Sequence, residues 1–95
     1  MLARVNSVQT APDQIDGLVK WSGEQLPASE EAPGFKGLYL LADRQSGKIL
    51  SISLWESDDD LRQFEARGAQ ARNAATSELG IAPTPAYLYE VVLQG

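Results

Sequence analysis

Arg4, Asn6, Ser51, Ser53 and Glu90 are the polar side chains that strand periodicity sets among apolar neighbours. Their chemistry is hydrogen bonding and charge: an amide with donors and an acceptor, a guanidinium, two hydroxyls and a carboxylate. Ligand pockets are apolar recesses into which a few such groups converge. Asn6 is the expected centre of any site, because it lies mid-strand where β propensity gives an amide no reason to be, and local rule-breaking is commoner at functional positions. Arg4 shares its predicted face, and Ser51 and Ser53 project from a neighbouring strand. Glu90 lies on the other neighbour, where it could meet Arg4 as a cross-strand pair. Tyr39 and Trp55 add aromatic surface to the same face. In the plainer alternative these groups satisfy one another or a trapped water, or Asn6 drifts to a solvent rim.

Composition narrows the chemistry. The 95 residues contain no cysteine and no histidine. That excludes disulfides, thiolate nucleophiles, the usual catalytic triad and His or Cys ligation of a metal or haem. Asp58, Asp59 and Asp60 are consecutive, so their carboxylates splay around a helix start and no metal site is expected. A net charge of −5, with eight scattered basic residues, works against binding nucleic acid. No apolar stretch approaches the ~18 residues of a membrane span, and the opening Met-Leu-Ala-Arg-Val-Asn does not read as a signal peptide. A cytoplasmic location is the default expectation. The length suits one domain over 1–95 with one core.

The elements that would position these residues follow from periodicity. Leu2 to Gln9 alternates as a half-buried strand. Thr10 and Asp13 make a capping box, with Pro12 in the first helical turn. Ile15, Leu18, Val19 and Leu26 form the helix stripe, with Trp21 off it, and Pro27 is expected to stop the helix before an acidic loop from Ala28 to Gly34. Phe35 to Asp43 and Lys48 to Glu56 read as strands joined by the tight turn Arg44-Gln45-Ser46-Gly47. Ser57 and Asp60 repeat the capping pattern. Leu61, Phe64, Gly68, Ala71, Ala75 and Leu79 then hold a helical period, Gly80 ends it, and Ala86 to Leu93 closes the chain as a strand.

A β-α-β-β-α-β order with right-handed crossovers gives the α+β, ferredoxin-like fold: a four-stranded antiparallel sheet in order 4-1-3-2 with both helices on one face. Val5, Leu38, Leu40, Leu50, Ile52 and Leu54 are expected under the helices. Leu2, Val8, Tyr39, Leu41, Ile49 and Trp55 are expected on the bare face, together with the polar minority. An apolar patch of that size marks an interface, and a twofold axis lets it bury itself against its own copy, so a homodimer is expected.

With that order in hand, the chain resembles the dimeric α+β barrel superfamily and is most similar to its antibiotic biosynthesis monooxygenase type. The resemblance is carried by Ala3-Arg4-Val5, by Pro33-Gly34-Phe35-Lys36-Gly37 entering strand two and by Gly47-Lys48 starting strand three. It is also carried by Ser51-Ile52-Ser53-Leu54-Trp55-Glu56-Ser57, with its tryptophan closing strand three, and by Tyr89-Glu90-Val91. It implies dimerisation into an α+β barrel and a cofactor-free oxygenase acting on an aromatic or polyketide-type small molecule. In such a reaction Asn6 would donate to a developing oxyanion, Arg4 would add charge, a desolvated Glu90 would be the base, and Trp55 and Tyr39 would stack on the substrate. Ser51 and Ser53 would line the substrate site. Haem-degrading members use a strand-one asparagine, which Asn6 matches, but Phe64 and Ala74 stand where those members carry tryptophan and histidine. Haem degradation by that route is therefore not expected, and no cofactor is. The alternative is a non-catalytic small-molecule-binding or interaction domain on the same fold.

Overall fold

The computed structural model describes residues 1–67 and 85–95. Strand β1 (Leu2–Gln9) leads through a single 3-10 turn, Pro12–Gln14, into helix α1 (Ile15–Glu30). Strands β2 (Phe35–Asp43) and β3 (Lys48–Trp55) form the hairpin, residues 58–67 are helical (α2), and β4 is Tyr87–Glu90. The sheet order is β2-β3-β1-β4, antiparallel throughout, which is the expected ferredoxin-like arrangement. The expected stripe positions from Gly68 to Leu79, and Gly80 after them, lie outside the described residues.

Three local expectations are corrected. The start of α1 carries no side-chain cap; Thr10 instead donates its N–H to the Gly47 carbonyl at 3.0 Å, tying the strand end to the hairpin turn. Pro27 does not stop α1, which runs on to Glu30. A proline in the last turn forgoes one helical hydrogen bond, and the carbonyl its ring faces belongs to Gly23, so the disturbance is local. Trp21, rather than the exposed Val19, joins the buried stripe, packing on Ile15 and Leu18. The Ser57 cap does form: its hydroxyl accepts from the Asp60 N–H at 3.3 Å and donates to the Asp60 carboxylate at 3.0 Å.

Among the described residues, two core clusters lie on the helix-covered face. Under α1, Ile15 and Ile49 are wholly buried beside Leu18, with Val8, Trp21 and Leu40 packed around them. Under α2, Trp55 and Leu61 are buried with Ala32, and Phe35 and Phe64 close the cluster. Burying each such aliphatic side chain contributes about 1.5–3 kcal/mol.

On β1 and β3 this reverses the expected assignment of faces, while β2 keeps the expected one. Strand register puts Leu2, Arg4, Asn6 and Val8 opposite Trp55, Ser53, Ser51 and Ile49, and all of these lie on the side the helices cover. Leu38 and Leu40 pair with Ser53 and Ser51 and share that side, as expected. Val5, Leu50, Ile52 and Leu54 alternate to the bare face and join Tyr39, Leu41, Tyr87 and Tyr89, each about half exposed or more among the last four. The bare face is thus still a continuous apolar surface, made from the other phase of each strand.

Candidate functional site

The helix-covered face of the sheet is divided. The α1 cluster occupies one end and the α2 cluster the other, and between them runs a polar band of the cross-strand pairs Arg4–Ser53 and Asn6–Ser51. Leu38 and Leu40 on β2 and Leu88 on β4 flank the band on either side. Polar groups at the centre of an inward-facing sheet surface oppose the hydrophobic pattern and have to be compensated.

Their compensation is specific. Arg4 Nε donates to Glu65 Oε1 at 2.8 Å, with the arginine side chain only 17% exposed. Its Nη1 donates to Asn6 Oδ1 at 3.3 Å. Since a guanidinium only donates, the amide must turn its oxygen to Arg4 and its NH2 away. Ser53 Oγ accepts the indole N–H of Trp55 at 3.0 Å. No buried side-chain nitrogen or oxygen among the described residues lacks a partner.

The structure thus brings together Arg4, Asn6, Ser51 and Ser53. It does not bring the remaining expected residues to them. Tyr39 projects from the bare face, 59% exposed, on the other side of the sheet from Asn6. Trp55 lies on the Asn6 side but is wholly buried between Phe35 and Phe64, with ring centroids at 5.4 and 4.6 Å, and has no surface left on which to stack a ligand. Glu90 is exposed and sits opposite Leu2, so Arg4 faces Leu88 instead. The expected Arg4–Glu90 pair is replaced by Arg4–Glu65.

Glu65 is the residue that sequence reasoning missed. The signal was available: it stands four residues after Leu61 and directly after Phe64, so it rides on the buried side of α2 while carrying a charge. The acidic run before it is accounted for by the helix start, with Asp58 paired to Arg62 at 2.9 Å and Asp60 to Ser57. Among the described residues no group of three acidic side chains converges on a point that could hold a metal ion. Nor is any described helix long and apolar enough to cross a membrane.

An antiparallel ferredoxin-like sheet with a polar strip beneath its helices defines a class of small α+β domains. Within it, residues 1–75 match the antibiotic biosynthesis monooxygenase family model, and the chain belongs to that family. An uncharacterized protein of Mycobacterium tuberculosis is 34% identical over 74 residues, covering 77% of this chain but only 31% of its own length. The chain therefore spans about a third of that relative.

Solved structures share the fold at lower identity. The haem-degrader MhuD of M. tuberculosis, solved with two haems in its active site, superposes with a TM-score of 0.76 at 22% identity, covering 100% of this chain and 99% of MhuD. SnoaB, a cofactor-independent oxygenase of Streptomyces nogalater, gives 0.72 at 20% identity, covering 98% and 94% of the two chains. A Nitrosomonas europaea protein of unknown function gives 0.74 at 16% identity, covering 99% and 91%. One fold thus carries different chemistries, and the choice among them rests on the site.

Proposed function

We propose that this chain binds a flat, mostly apolar aromatic molecule between its sheet and helices and oxygenates it with dioxygen, using no cofactor. The observation that carries this reading is the polar band centred on Asn6 and Arg4 between two apolar clusters. Such a surface matches a ligand with apolar rings and one polar edge. Family membership and the fold shared with SnoaB agree with it.

The chemistry asks little of the protein. An anthrone-type substrate supplies its own electrons. Loss of a ring C–H proton to water leaves an enolate, whose oxygen is stabilised by the Asn6 amide N–H and the charge of Arg4. The enolate carbon reduces dioxygen and forms the C–O bond, and expulsion of water leaves the quinone, so that anthrone and O2 become anthraquinone and H2O. Ser51, directly opposite Asn6, supplies a further hydroxyl.

Haem does not fit these residues. The chain has no histidine or cysteine, and Tyr39, Tyr87 and Tyr89 stand on the bare face, away from Asn6. Phe64 is engaged with Trp55. Titration with haemin should show no saturable one-to-one spectral change.

A second reading, binding without turnover, is favoured by one observation: among the described residues, Glu65 is tied to Arg4 and Glu90 stands opposite Leu2 rather than beside Arg4. Under either reading the apolar bare face pairs with a second copy of the chain.

Anthrone incubated with the protein under oxygen, with no metal or flavin added, should yield anthraquinone. Asn6→Ala should lower that rate by about 100-fold while moving the thermal midpoint little. Saturable binding without product would establish the second reading, and neither binding nor product would overturn both.

A further inference from the structure

We propose that Ser51 determines the specificity of the site: its hydroxyl reads an oxygen on the edge of the bound ring system. The ligand is thereby a fused aromatic ketone with hydroxyl groups on the ring positions beside its carbonyl, and not a bare hydrocarbon. This inference rests on the reading of the helix-covered face as the ligand site.

The polar groups of the band differ in what holds them. Arg4 is joined to Glu65 and to Asn6, and Ser53 accepts the indole N–H of Trp55. The Ser51 side chain makes no hydrogen bond to any described residue. It is half-buried on the face the helices cover, next in line to the wholly buried Ile49 and directly opposite Leu40. No buried side-chain oxygen among the described residues lacks a partner, so the Ser51 hydroxyl lies where water or a ligand reaches it. An aliphatic side chain there would extend the cluster under α1, and serine forgoes that burial with no bond inside the fold in return. A hydroxyl both donates and accepts. A hydrocarbon edge laid over it removes its water and gives nothing back, whereas a ring oxygen replaces the lost bond. That difference is how a polar site rejects an analogue lacking the oxygen.

Ser53 extends the contact. It follows Ser51 on the same face, about 6.8 Å along β3. One lone pair takes the Trp55 N–H, and Arg4 opposite only donates, so the Ser53 hydrogen is spent on neither. Two donors in line along one strand call for an edge with two outward acceptors. A hydroxyl beside a ring carbonyl is such an acceptor, because its own hydrogen turns inward to the carbonyl and leaves its lone pairs facing out. The oxygenated edge then faces the polar band while the rings rest on Leu38 and Leu40.

The experiment compares two probes in two proteins. 1,8-Dihydroxyanthraquinone carries the hydroxylated edge and anthraquinone lacks it, and binding of each is followed by quenching of tryptophan fluorescence. Ser51→Ala should weaken binding of the hydroxylated probe roughly tenfold and of the unsubstituted one by less than about twofold. Its melting temperature should stay near that of the wild type, because no bond within the fold is lost. Equal losses for the two probes would overturn the inference, since that is the mark of a merely structural role. A melting temperature lowered as far as in Ser53→Ala would overturn it too. A wild-type protein that binds neither probe would overturn the proposed function and this inference with it, whereas binding of both probes without regard to Ser51 would overturn the inference alone.

Discussion

Trp55 donates its indole N–H to the hydroxyl of Ser53 at 3.0 Å, two residues back along β3 on the same face. The serine is what lets an indole lie wholly buried at the strand end, because the ring would otherwise carry an unmatched donor into the core. Ser53 is thus a partner of the core as much as a member of the polar band.

Ser53→Ala should therefore cost about 1–3 kcal/mol in stability, the desolvation cost of an orphaned donor. Urea denaturation followed by tryptophan fluorescence measures it. A Trp21→Phe background isolates the Trp55 signal, since the chain has two tryptophans. Ser51, for which no such duty is evident, should tolerate alanine with a smaller loss. Equal losses at the two positions would contradict the role given to Ser53.

Leu41 and Ile49 separate the two faces of the sheet. Both are β-strand aliphatics, but Leu41 is 49% exposed on the bare face and Ile49 is wholly buried under α1. Leu41→Glu should leave the fold intact and lower the mass seen by light scattering from about twice the chain mass to one, since an unpaired charge is costly in an apolar interface. Ile49→Ala should instead cost roughly 2–5 kcal/mol of stability through the cavity it leaves. A wild-type protein that stays monomeric at micromolar concentration would defeat the dimer.

The bounds of β1 to β3, the strand order and the hairpin were legible in the sequence, because alternation and turn residues act locally, whereas β4 is Tyr87–Glu90 and shorter than the expected Ala86 to Leu93. The sides of the sheet were not, and the hairpin shows why. Its strands close on Asp43 opposite Lys48, so even-numbered residues of β2 share a face with odd-numbered residues of β3. Leu38 and Leu40 therefore lie beside Ser53 and Ser51, where hydrophobicity alone would have grouped them with Ile52 and Leu54. Alternation also says only which residues share a face, and the more aliphatic set on β3 is the one the helices leave bare. For the same reason the cluster of Arg4, Asn6, Ser51 and Ser53 could be read before its location could. The spacing of Glu65 from Leu61 and Phe64 could place it on the buried side of α2, but its pairing with Arg4 required knowing that α2 lies over β1, which is tertiary information.

Asp43 makes the fold sensitive to acid at the hairpin. Its carboxylate accepts the backbone N–H of Gln45 at 2.9 Å and of Ser46 at 3.4 Å, and these bonds hold its pKa below the ordinary aspartate value. A depressed carboxylate pKa means the ionised form is favoured by folding. Its contribution is present at neutral pH and is lost as the pH falls through the carboxylate range. Asp43→Asn keeps an acceptor for the two N–H groups but removes the charge. Its melting temperature, measured from pH 7 down to pH 3, should fall less steeply than that of the wild type. Parallel curves would show that the turn does not contribute to acid lability.

Gly47 ends that same turn. It is buried with φ at 81°, a left-handed conformation that costs an L-residue roughly 1–2 kcal/mol. Its N–H donates to the Asp43 carbonyl at 2.9 Å and its carbonyl accepts from Thr10 at 3.0 Å, so the backbone cannot rotate away without breaking both bonds. A β-carbon here would also collide with the carbonyl oxygen of Thr10, which is main chain and cannot swing aside. Gly47→Ala should therefore lose more than the conformational cost alone, well over about 1 kcal/mol. Gly17, on the exposed side of α1 with nothing within 4 Å of an added β-carbon, provides the opposite case. Gly17→Ala should stabilise by roughly 0.5–1 kcal/mol, the helix preference of alanine over glycine. Urea midpoints for the two variants should move in opposite directions from the wild type. A Gly47→Ala protein as stable as the wild type would mean that the Thr10–Gly47 tether between β1 and the hairpin does not hold as described.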